Sequence, residues 1–97
     1  MTRLNELQEW YALQCDGDWE HSFGVKVDTV DNPEWVVSVD IVGTPIAGST
    51  ITSYEEFPYG EWLRIDCDGK VFGIGCGPRS LDRGVAAFLE FAGRNLE

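Results

Sequence analysis

Residues 62–76, Trp62-Leu63-Arg64-Ile65-Asp66-Cys67-Asp68-Gly69-Lys70-Val71-Phe72-Gly73-Ile74-Gly75-Cys76, decide the fold of this chain. Asp68-Gly69 lies between two alternating runs and signals a tight β-hairpin. With Cys67 opposite Lys70, Ile65 faces Phe72 and Leu63 faces Ile74. Leu63, Ile65, Cys67, Phe72, Ile74 and Cys76 then share the core side. Trp62, Arg64 and Asp66 point the other way, opposite Gly75, Gly73 and Val71. In this register Cys67 and Cys76 lie about six residues apart, roughly 20 Å at strand rise, beyond the ~7 Å that a disulfide permits between α-carbons.

Upstream, Trp35, Val37, Val39 and Ile41 alternate with Val36, Ser38, Asp40 and Val42, which predicts a second strand. Phe23, Val25 and Val27 alternate with Gly24, Lys26 and Asp28 as a half-buried strand, and Asp31-Asn32-Pro33-Glu34 is turn chemistry. Gly43 to Ser49 reads as a loop and Thr50 to Phe57 as a weaker strand. Leu4, Leu7, Trp10, Tyr11 and Gln14 recur at helical spacing, so residues 3–15 predict an amphipathic helix with Thr2 as N-cap and Asp16-Gly17 as stop. Downstream, Ser80 caps a last helix whose buried stripe is Leu81, Val85, Phe88, Leu89 and Ala92. The order is helix, strands, helix, without repeat or linker. It predicts one α+β domain over residues 1–97, an antiparallel meander of four to five strands with both helices on one face. The other face stays open to solvent or to a partner.

Composition sets the function classes. The chain has 97 residues, 43% of them hydrophobic, too apolar for a disordered protein. No run approaches the ~20 apolar residues that span a bilayer, and the first residues lack the apolar segment of a signal peptide. The expected compartment is therefore the cytoplasm. Three cysteines, an odd number, fit reduced thiols. The net charge of −10 is uneven: Leu4 to Leu63 hold twelve acids and one base, Lys26, whereas Arg64 to Glu97 hold five of each. Such a region repels nucleic acid and anionic membranes and attracts basic partners.

Chemistry-bearing side chains crowd into residues 10–24, where Cys15, Asp16, Asp18, Trp19, Glu20 and the sole histidine, His21, meet at a helix–strand seam. A cysteine nucleophile needs a base or positive field, and Asp16 and Asp18 oppose thiolate. The bland reading is a packed helix-end cysteine. Asp16, Asp18 and Glu20 begin like a calcium loop, but the glycine and glutamate required at the sixth and twelfth positions are His21 and Val27. Zinc lacks a C-x-x-C or paired histidines. Neither metal nor cofactor is expected. Gly73-Ile74-Gly75-Cys76-Gly77-Pro78 lacks the Lys-Ser/Thr of a P-loop. These glycines read instead as a flat patch across which Trp62 and Arg64 lie. Trp35 reads as core and Trp10 as core or helix edge. Trp19 falls in the acidic turn and Trp62 on the open face, and exposed tryptophan beside carboxylates is a composition of binding hot spots.

Trp10-Tyr11, Gln14-Cys15-Asp16-Gly17-Asp18-Trp19-Glu20-His21 and Phe23-Gly24-Val25 resemble the amino-terminal signature of the immunity-53 family of bacterial polymorphic-toxin immunity proteins. Asp31-Asn32-Pro33 with Trp35, and Phe72-Gly73-x-Gly75-x-Gly77-Pro78-x-x-Leu81, extend the resemblance along the chain, with Gly43 to Glu61 matching least. The resemblance implies a small cytoplasmic, non-enzymatic protein that binds and neutralises a cognate toxin domain. On that basis Asp16, Asp18, Trp19 and Glu20 are expected to form one part of the toxin-binding surface. Asp28, Asp40, Trp62 and Asp66, on the open face, are expected to form the other. A competing reading makes Trp19, Glu20 and His21 a brace between the first helix and the first strand. Two further alternatives are a sulfurtransferase-like thiol enzyme using Cys15, for which the residues give no cradle, and an acidic adaptor for another basic protein.

Overall fold

The computed structural model describes residues 2–93. Helix α1 spans Arg3–Gln14, and the Thr2 hydroxyl accepts the Asn5 amide at 3.1 Å as the expected cap. One helical turn, α2 (Trp19–Ser22), precedes strand β1 (Val25–Val30), which therefore starts two residues later than the alternation suggests. Strands β2 (Glu34–Asp40), β3 (Thr50–Glu56), β4 (Trp62–Asp68) and β5 (Val71–Cys76) follow, then helix α3 (Leu81–Phe91).

The five strands form one antiparallel sheet, in an α+β domain with a helix at each end of the described chain. The spatial order, β1-β2-β5-β4-β3, departs from a sequential meander. Between β2 and β3 the chain crosses to the far edge, leaving the β4–β5 hairpin to pair with β2. Burial explains the choice. Strand β2 places Val37 and Val39, each 1% exposed, on the core face and needs two neighbours. Strand β3 offers that face only Ile51, Ser53 and Glu55, a composition an edge tolerates.

The hairpin register is shifted by two residues from the expected one. Ile65 faces Ile74, Leu63 faces Cys76 and Cys67 faces Phe72, with Gly69 and Lys70 at the tip. Gly69 has φ +93°, and the Asp68 carboxylate accepts the Lys70 and Val71 amides at 2.9 Å each, so a glycine-first turn displaces the Asp-Gly turn. A shift of two leaves every side chain on its expected face. Cys67 and Cys76 now lie about four residues apart along the sheet, roughly 13 Å, and all three cysteines are free.

The core lies between the helices and the sheet. Trp10 sits edge-on to Phe88 at 4.8 Å between ring centres, and Phe88 meets Phe72 at 5.1 Å, so one aromatic chain ties α1 to α3 and α3 to β5. Gly84 lets α3 approach closely, since a Cβ there would fall 2.7 Å from the Cγ2 of Ile74. Leu7 and Trp10 are buried as the helical spacing implies, whereas Leu4, at the start of that stripe, is 62% exposed.

Candidate functional site

The acidic turn after α1 is held by its own carboxylates. Asp16 accepts the Trp19 amide at 2.9 Å and the Asp18 amide at 3.0 Å, from two residues before Asp18, the N-cap position of α2, whose own side chain makes no capping bond. Glu20 reaches back to the amides of Asp16 at 2.9 Å and Gly17 at 2.8 Å. The Trp19 and Asp18 amides hold the Asp16 carboxyl below its usual range. The amide of Glu20 itself, then those of Asp16 and Gly17, do the same for Glu20. Glu20 is thus partnered by backbone, not by His21, whose side chain is exposed.

Trp19 is 7% exposed. Its indole N–H donates to the Val42 carbonyl at 2.7 Å, and its ring packs against Trp10, Tyr11 and Phe23. The expectation of a surface anchor at Trp19 is corrected here: the side chain locks the α1–β1 seam to the end of β2, leaving almost no surface to offer a partner. Gly43, with φ +76°, passes so close that a Cβ would sit 3.3 Å from the Trp19 ring. Of the turn's residues, Asp18 is the one whose exposed carboxylate takes no part in this backbone bracing. Cys15 ends α1, with its thiol donating to the Tyr11 carbonyl at 3.4 Å.

The open face of the sheet gathers most of the remaining expected residues. Cross-strand pairing puts Asp28, Val36, Gly75, Arg64 and Tyr54 in one row, and Lys26, Ser38, Gly73, Asp66 and Thr52 in the next. Gly75 and Gly73 leave the centre of this face bare, and neighbouring side chains lie over them. A Cβ at Gly75 would collide with the Arg64 guanidinium, and one at Gly73 would stand 2.7 Å from an Asp66 oxygen. The flat patch is real, with Arg64 and Asp66 across it rather than Trp62 and Arg64, as the register shift requires.

Trp62 lies one pair further along, stacked on Tyr54 at 6.4 Å with the Arg64 guanidinium 5.7 Å from its ring. Ser38, Thr52, Asp66 and Asp68 line a shallow hollow of ≈ 460 Å³ over Gly73. Asp40 belongs to this face by register, but its carboxylate accepts the Gly24 amide at 2.9 Å and fastens the start of β1.

Two residues were missed. Tyr54 lies on β3, and only the β3–β4 register shows that it meets Trp62. Glu61 accepts the Ser80 hydroxyl at 2.7 Å and the Arg79 amide at 2.9 Å, tying the entry of β4 to the start of α3. Ser80 therefore precedes α3 without capping it through its side chain, contrary to expectation. Gly77 is bare for the same reason, since a Cβ there would lie 2.6 Å from Glu61. These contacts explain the glycine-rich stretch as close packing.

The sequence model of the family immunity protein 53 matches residues 4–93. The chain belongs to this family. No match was found among curated proteins, and none among solved structures. Membership of the immunity protein 53 family assigns an immunity role and implies a toxin protein as partner. Within the match, Asp16, Trp19 and Glu20 brace the seam between α1 and β1, and Gly73, Gly75 and Gly77 are closely approached by Asp66, Arg64 and Glu61. The open face carries exposed charge and aromatic rings. No described helix is long and apolar enough to cross a membrane.

Proposed function

We propose that this immunity protein binds a cognate toxin domain of a polymorphic toxin system in the cytoplasm and neutralises it by covering a basic site with the open face of its sheet. The observation that carries this reading is the stack of exposed Tyr54 on half-buried Trp62, on the same open face as Asp66 and Asp68 further along β4, with a floor left bare by Gly73 and Gly75. Stacked rings on a rigid sheet offer apolar anchoring at little cost in side-chain entropy. Carboxylates around them supply charge-assisted hydrogen bonds to lysine or arginine. The net charge of −10 steers a basic partner toward the protein before contact.

Trp62, Asp66 and Asp28 are the expected residues best placed for the toxin, with Tyr54 and Asp68 added. Asp18 is a peripheral contact, while Asp16, Trp19, Glu20 and Asp40 hold the scaffold. Binding without catalysis is favoured over thiol chemistry by the state of the cysteines. Cys67 and Cys76 are buried, and burial, reinforced by Glu61 and Glu34, pushes the Cys76 thiol up to about 11. Cys15 is flanked by carboxylate.

The test is protection. The toxin domain encoded beside the gene is expressed with and without this protein. Rescue of growth together with a stable complex supports the reading. A Trp62→Ala, Asp66→Lys variant that folds but neither binds nor rescues places the contact on this face. Undiminished rescue by that variant moves the contact elsewhere.

A further inference from the structure

Strand β1 forms one edge of the sheet. Because the Asp40 amide donates to the Gly24 carbonyl, antiparallel alternation turns the backbone groups of Lys26, Asp28 and Val30 toward β2. Those of Val25, Val27 and Thr29 therefore face outward along the sheet edge. Val27 is 49% exposed although its register places it on the core face. Beside it, Leu7, Gln8, Tyr11, Gly24 and Val25 line an apolar groove of ≈ 290 Å³ between α1 and the edge.

We propose that a second copy of this chain docks on β1, antiparallel, with Val27 opposite Val27 on a twofold axis. This register sets Val25 against Thr29 of the second copy and Thr29 against its Val25, so all the outward backbone groups of these residues pair. It also sets Lys26 against Asp28 of the second copy, and the reverse, at positions where the side chains approach most closely. Lys26 is the one base among residues 4–63, and it falls where a carboxylate of the other copy meets it.

Neighbouring registers fail. A shift of two residues one way opposes Lys26 to Lys26, and the other way opposes Asp28 to Asp28. A shift of one puts core-face residues against open-face ones. In the single chain Asp28 accepts the Thr29 amide at 2.8 Å. Pairing hands that amide to a strand carbonyl and frees the carboxylate for lysine. The other edge, β3, carries Glu55 and Glu56 without a base and offers no such match. The half of the open face around Trp62 and Asp66 stays uncovered, so of the proposed toxin surface the pairing engages only Asp28.

Sedimentation equilibrium of the full chain at physiological ionic strength tests the proposal. The expected result is a concentration-dependent dimer that Lys26→Asp or Asp28→Lys weakens about tenfold or more, each converting two attractions into two repulsions. The double swap K26D/D28K restores it. Val27→Pro, which removes an outward N–H while leaving the β1–β2 ladder intact, gives a folded monomer by circular dichroism. A wild-type monomer at every concentration overturns the proposal. So does a dimer indifferent to these substitutions, or a double swap that fails to restore association.

Discussion

Trp19 shows how a single side chain changes meaning once its surroundings are known. Beside three carboxylates it reads as a hot-spot anchor, yet its ring is enclosed by Trp10, Tyr11 and Phe23 and its N–H is satisfied by Val42. Trp19→Ala is expected to lower stability by about 3–5 kcal/mol, the cost of an aromatic cavity. Chemical denaturation measures this, and a variant that melts normally but loses binding would refute the scaffold role. Asp16, Glu20 and Asp68 make a second residue-scale prediction. Backbone amides depress all three carboxyls in the folded protein, with Trp19 first for Asp16, the residue's own amide first for Glu20 and Val71 first for Asp68. A depressed carboxyl stabilises the fold above its unfolded pKa, and that contribution fades as pH falls through the lower folded value. Melting temperature should therefore fall as pH drops from about 5 toward 3. Replacing Asp16 with Asn should flatten that dependence.

Among the elements, the hairpin shows what a local signal can and cannot specify. Asp68-Gly69 predicts a turn, and a turn forms there, but the Asp68 carboxylate gathers the Lys70 and Val71 amides and moves the tip one residue on. Local side-chain bonding of this kind competes with the backbone turn that dipeptide statistics favour. The faces survive because the resulting shift is even. Helix α3 makes a sharper case. Gly84 sits mid-helix, where alanine would ordinarily gain about 1 kcal/mol in propensity. Here the added methyl would meet the branched Cγ2 of Ile74 at 2.7 Å. Overpacking of this kind costs about 1–3 kcal/mol. Gly84→Ala is expected to be destabilising on balance, by thermal melting. An increase in melting temperature would mean that α3 can lift from the sheet freely.

For the whole molecule, charge and topology act together. Acidic residues spread over the amino-terminal two thirds create a long-range field, while β3 and β4 place an aromatic stack within the open face. Steering and anchoring should separate kinetically. Asp66→Lys is expected to slow toxin association several-fold and to reduce its salt dependence. Trp62→Ala should mainly hasten dissociation, as read by surface plasmon resonance at several ionic strengths. Equal effects of both on dissociation alone would remove steering from the account.

Periodicity, turn residues and charge were sufficient for the helix at each end, the antiparallel strands, the faces of the hairpin and the reduced cysteines, because each depends on near neighbours or on composition. The motifs at 10–25 and 72–81 were sufficient to suggest the family. Strand order was decided by tertiary structure, since β2 and β3 compete for the same hairpin and the outcome depends on which strand has most to bury. So were the burial of Trp19, the diversion of Ser80 to Glu61 and the meeting of Tyr54 with Trp62. Each joins residues from separate elements, and the energy that selects them exists only when the sheet has closed against the helices.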